Sequence, residues 1–147
     1  MSFADELRGI ASMKDQADRS AASTQAEQAA RAWPHFLELF YNDLKGRCVQ
    51  SARNGHHEAA STLSHMILDG DDLYDAAGVT RRPTQEEWEV INALRCICRF
   101  NRFPLRYIQD LNRQITKRFE AEGLQVRSLP YAPDKDDFSD IDFTVRW

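Results

Sequence analysis

The chain has 147 residues, 42% of them apolar and 29% charged, with a formal net charge of −4. That length suits one domain with a substantial core, and the balance is that of a globular protein, with the acidic excess arguing against a dedicated nucleic-acid binder. No apolar run reaches the roughly 18 residues of a membrane helix and no basic-then-apolar leader opens the chain, so no membrane association and a cytoplasmic location are expected.

Residues 2–32 are polar and rich in alanine. Phe3, Leu7, Ile10 and Met13 make a thin helical stripe, continued by small side chains such as Ala17, Ala21, Ala26 and Ala29. Such a segment adds little to a core. Residues 1–32 are therefore read as a helical arm that packs shallowly, frays or self-associates, set off from a core domain at 33–147. From Trp33 the character changes. Trp33, Phe36, Leu37, Phe40, Leu44 and Cys48 recur at helical spacing, and Asn54-Gly55 is a good stop. Pro34 either kinks a long helix or starts a new one, and a core helix over 34–53 is the favoured reading. Residues 56–68 fit a helix face or a short strand equally. Residues 69–83, with two glycines, four aspartates and Pro83, read as a loop.

Thr84 and Glu87 form a capping box, which predicts a helix over 84–100 with Trp88, Ile91, Leu94 and Cys98 on one face. Asn101 can cap a second helix over 102–122 that carries Pro104 in its first turn and Ile108, Leu111, Ile115 and Phe119 along its stripe. Gly123 ends it. Leu124 to Leu129 reads as a strand and 130–140 as an acidic connection. In the last seven residues Ile141, Phe143, Val145 and Trp147 alternate with Asp142, Thr144 and Arg146, the period of a strand with one buried face. The fold class expected is α+β: predominantly helical, with helices packed on a small antiparallel sheet that includes a C-terminal β-hairpin.

The residues offer little catalytic chemistry. Asp140-x-Asp142 looks like the metal-binding strand of nucleotidyltransferases, but no Gly-Ser turn precedes it, and a solvated strand face is the reading. Asp69, Asp71, Asp72 and Asp75 fail the calcium-loop pattern, which needs Gly and Glu where Tyr74 and Thr80 stand. His56, His57, His65, Cys96 and Cys98 match no zinc spacing. Three cysteines, an odd number, are expected to stay reduced. No nucleophile elbow or Gly-rich phosphate loop occurs. Neither an enzyme nor a cofactor or metal is expected.

Charge is the more informative signal. Residues 95–118 carry seven positive side chains against Asp110 alone. Arg95, Arg99, Arg102 and Arg106 would share one helical face if the backbone stayed helical through Asn101, with Phe100, Phe103 and Tyr107 interleaved for stacking on nucleic acid. The favoured reading is that these arginines lie over the core and pair with two acidic segments, one holding Asp69, Asp71, Asp72 and Asp75, the other Asp134, Asp136, Asp137, Asp140 and Asp142.

The order of these pieces resembles small accessory proteins of bacteriophages and mobile elements. The resemblance lies in residues 36–55 and 105–147, above all in the Gly123-x-x-Val126 strand and the alternating strand closing on Trp147. It implies a neighbourhood of proteins that bind and inhibit host machinery, anti-CRISPR proteins among them, and it favours a strand at 57–66. It brings no catalytic residues. The function expected is thus a non-enzymatic protein-interaction module, with Asp69, Asp71, Asp72, Asp75, Asp134, Asp136, Asp137 and Asp140 facing the basic groove of a host complex. The alternative is nucleic-acid binding through Arg95, Arg99, Arg102 and Arg106.

Overall fold

The final strand is the hub of the fold. The computed structural model describes residues 2–68, 72–99, 102–131 and 138–147. In chain order these form α1 (Phe3–Arg53), β1 (Glu58–Thr62), α2 (Leu63–Leu68), β2 (Leu73–Tyr74), β3 (Thr80–Arg81), α3 (Gln85–Arg95), β4 (Phe103–Pro104), α4 (Leu105–Ala121), β5 (Gln125–Tyr131) and β6 (Phe138–Arg146). β6 pairs antiparallel with β1, β4 and β5. β1 and β5 both pair with its stretch from Asp142 to Arg146, so β6 is interior there, with Phe143 opposite Ser61 on one side and Ser128 on the other.

The alternation in β6 works as its sequence predicts. Ser139, Ile141, Phe143 and Val145 are fully buried, while the residues between them are half-buried. The helices cover that buried face. Phe40 of α1 meets Phe143 edge-on at 5.5 Å, Phe36 lies 6.3 Å from Phe40, and Trp33 stacks on Phe36 at 5.6 Å. α4 contributes Ile108, Leu111, Ile115 and Phe119, all buried, at the spacing of one helical face. This is an α+β architecture of four helices on a small antiparallel sheet, with β5–β6 as its C-terminal hairpin.

Several boundaries differ from the sequence-based expectation. α1 is one helix of 51 residues, not an arm joined to a separate helix at Pro34. Pro34 leaves the Ala30 carbonyl without its helical donor, but both residues are exposed, so water takes that bond while Trp33 and Phe36 hold the buried side. Residues 58–68 are strand and then helix, which is why both patterns fitted them. Residues 73–81 hold a short hairpin rather than a plain loop.

α3 stops at Arg95 rather than continuing to 100. Arg99 and Arg102 then exchange backbone hydrogen bonds of 2.9 and 3.0 Å, which reverses the chain and delivers Phe103 to pair with Ser139. Pro104 therefore sits in a two-residue strand before α4, not in its first turn. Asn101, the expected cap, lies outside the described residues. Trp147 does not share the core face: it lies past the end of β6 and is 39% exposed.

Replacing Phe143 by Ala removes the ring that joins β6 to α1. A loss of about 3–5 kcal/mol is expected in urea unfolding, as for other large core truncations; a variant as stable as the parent would contradict this packing.

Candidate functional site

Among the described residues, the first half of α1 forms a long exposed surface. From residue 2 to residue 28 every side chain is exposed except half-buried Ala26, and burial begins at Ala29. The arm is thus shorter than the 1–32 read from composition, and it continues into the core without a break. At 1.5 Å per residue the exposed part extends about 40 Å. Its start is locally well made: the Ser2 hydroxyl accepts the Asp5 N–H at 3.2 Å, and the Asp5 carboxylate accepts the Ser2 N–H in return. Arg8–Asp5 and Lys14–Asp18 pairs at 3.2 and 2.8 Å add a little, being exposed. Along this rod Phe3, Leu7, Ile10 and Met13 are 74, 51, 66 and 72% exposed.

The acidic residues scatter into different roles. Asp69, Asp71, Asp134, Asp136 and Asp137 lie outside the described residues. Asp72 is exposed. Asp75 caps its own turn, its carboxylate accepting the Ala77 and Val79 N–H groups at 2.9 and 3.0 Å. Asp140 accepts the Ser64 N–H at 3.1 Å and the Ile141 N–H at 2.8 Å, and Asp142 accepts the Thr62 hydroxyl. The Asp140-x-Asp142 pair is therefore a tie between β6 and the β1–α2 junction rather than a solvated face.

The four arginines are not on one helical face. Arg95 ends α3, Arg99 and Arg102 sit on the reversing bridge, and Arg106 is in the first turn of α4. Each of three lies near an aromatic ring, Arg95 at Trp88, Arg99 at Phe138 and Arg106 at Tyr107, at 5.5, 5.2 and 5.0 Å. Farther along α4, Arg113 pairs with Asp110, while Arg118 grips Glu38 at 2.6 Å and covers the Tyr41 ring at 3.6 Å. These pairings use carboxylates on α1 and α4 rather than the acidic segments.

Sequence reading missed the structural centre of the 73–81 hairpin. Asp43, 1% exposed on α1, accepts the Tyr74 N–H at 2.8 Å and the Arg47 guanidinium at 2.9 Å. A Cβ on Gly46 would come within 2.3 Å of the Asp75 carbonyl oxygen, so only glycine lets the hairpin lie this close to α1. Arg81 then forks onto Glu87 of α3 at 2.6 and 2.7 Å. A glycine inside a helix was the one available signal. Burial pushes the Cys48 and Cys98 thiols up to about 11 and about 12, so neither is a ready nucleophile at neutral pH.

Among the described residues no group of three His, Cys, Asp or Glu side chains could hold a metal ion, and no helix is long and apolar enough to cross a membrane. Comparison with known protein families, with curated proteins and with solved structures gave no match.

The Arg81 fork holds the Glu87 carboxyl down at about 2, against the upward push of burial. A depressed folded value stabilises the protein above the ordinary carboxylate value, and that stability is lost as pH falls through about 2. Glu87→Gln is expected to weaken the fold at pH 7 and to flatten the acid limb between pH 4.5 and about 2. Urea melts across that range check this; an unaltered acid limb would show that the pair contributes nothing.

Proposed function

We propose that this chain is a non-enzymatic protein-interaction module, and that it serves a phage or mobile element as an inhibitor of a host defence complex. One observation carries the first part: four large apolar side chains stand exposed on a helix that leaves its own body behind. A soluble protein gains nothing from that stripe alone, and exposed apolar patches mark surfaces that meet another macromolecule. The second part rests on the resemblance in residues 36–55 and 105–147. Within this reading exposed Asp72 is the described aspartate left to meet a basic groove, because Asp75 and Asp140 already serve their own backbone.

The test is phage plating on a bacterium that carries an RNA-guided defence system, with and without the chain. Expression is expected to raise plating, and Leu7→Glu with Ile10→Glu to abolish the rise while thermal melting stays unchanged, since both positions are exposed. Equal plating with and without the chain across a panel of defence systems would end the inhibitor reading.

Nucleic-acid binding is the second reading, favoured by the exposure of Arg99 and Arg106 beside aromatic rings. The interrupted helix weakens it, because the arginines no longer track one phosphate backbone. At about 100 mM salt, where non-specific binders still hold on, micromolar protein is expected to leave labelled DNA and RNA unshifted. A shift that weakens in Arg99→Ala with Arg106→Ala would instate this reading in place of the first.

A further inference from the structure

We infer that the exposed half of α1 pairs antiparallel with the same half of a second copy, forming a two-helix rod with a body at each end. This deepens the reading of the arm as an interaction element, and rests on it. Phe3, Leu7 and Ile10 are spaced four and three apart, and the same alternation continues through Lys14, Ala17, Ala21, Thr24 and Gln28. That is the seam of a coiled coil, whose helices meet along positions repeating at an average of 3.5 residues. Its two ends differ in bulk. The tip carries Phe3, Leu7 and Ile10, and the stretch nearer the body carries Ala17, Ala21 and Thr24 before Gln28.

Only an antiparallel partner matches bulk to space. With the arms fully overlapped, Phe3 lies opposite Gln28, Leu7 opposite Thr24, Ile10 opposite Ala21 and Lys14 opposite Ala17. The overlap ends where it must, because Ala29 is already buried against its own body. At full overlap none of the arm's charged residues lies level with a charge of the partner. Sliding one heptad toward the tips sets Glu6 level with Asp18 and Asp5 level with Arg19, one repulsive and one attractive pair, so the choice falls to packing: the slipped pair uncovers the alanines nearest the body. A parallel, in-register pair instead stacks large on large at the tip and small on small nearer the body, which leaves the small stretch with no bulk to fill it.

Gly9 lowers the arm's own helix propensity, and its exposed side chains add no packing to hold it. Packing against a second copy provides what local propensity does not. Lys14, at the middle of the seam, keeps its ammonium at the edge, where it pairs with Asp18 at 2.8 Å. The resulting rod presents two bodies about 40 Å apart along its axis, the rise of the overlapped arms.

Sedimentation and light scattering of the full chain at high micromolar concentration test the inference. A mass twice 17.0 kDa is expected, with far-UV helicity that rises with concentration. Leu7→Glu with Ile10→Glu is expected to return the monomer without shifting the melting of the body. For orientation, Ile10→Cys and Ala21→Cys are made separately in a Cys96→Ser background, Cys96 being the exposed native thiol. Mixed and oxidised, they are expected to cross-link to each other, and Ile10→Cys alone is expected not to cross-link. A monomeric parent, a dimer indifferent to the stripe substitutions, or an Ile10→Cys chain that cross-links to itself would each overturn the pairing. A monomer whose stripe variant still loses its effect on phage plating overturns the pairing and leaves the interaction reading standing. A dimer whose stripe variant plates like the parent supports the pairing and removes that reading.

Discussion

Burial of one face of β6 against α1 is the constraint on which the rest of the structure depends. Ile141, Phe143 and Val145 can leave water only if a helix lies across them, and the Trp33, Phe36 and Phe40 ladder supplies that helix. Because β6 is flanked by β1 and β5 along the same stretch, its backbone groups are also satisfied there. The reversal at Arg99–Arg102 exists to deliver β4 to the start of β6. α4 follows from it and closes the other side of the aromatic ladder through Tyr107, 4.7 Å from Trp33.

The same helix is both core element and projecting rod, so its anchoring decides where the rod points. Polar ties between α1 and α4 do this beside the aromatic seam. The Trp33 indole donates to Asp110 at 2.7 Å, the Tyr41 hydroxyl donates to Glu122 at 2.6 Å, and Arg118 joins Glu38. Burial, with Glu122 beside it, raises the Tyr41 hydroxyl to about 12, so the donor stays protonated throughout the neutral range. An arm rooted in this way leaves the body at a defined position. That root matters for a rod that meets a partner along a narrow seam.

Among the described residues, several of the conspicuous charges are architectural. Asp75, Asp140 and Asp142 bind nearby backbone and hydroxyl groups, and Arg81, Arg113 and Arg118 are matched by carboxylates on neighbouring or identical helices. A charge run in a sequence carries no address for its partner, since an arginine side chain reaches across a helix as readily as along it. The apolar side chains of the arm are different. They have no neighbour of their own to meet, and their exposure is what makes them informative.

Periodicity alone determined the α+β class, the alternating last strand, the capping box at Thr84 and Glu87, and the stripes of α1 and α4. These are local properties, in which a side chain's own neighbours decide its conformation and its facing. Only the tertiary structure decided that Pro34 lies inside one unbroken helix, that residues 58–68 divide between strand and helix, and that α3 ends before the arginines can align. It also decided the roles of Asp43 and Gly46, which meet the backbone at residues 74–75 from some 30 positions away in the chain. The reason is physical: a proline is tolerated where water reaches the freed carbonyl, an aspartate is buried where a distant N–H awaits it, and neither condition is written within a few residues of the side chain concerned.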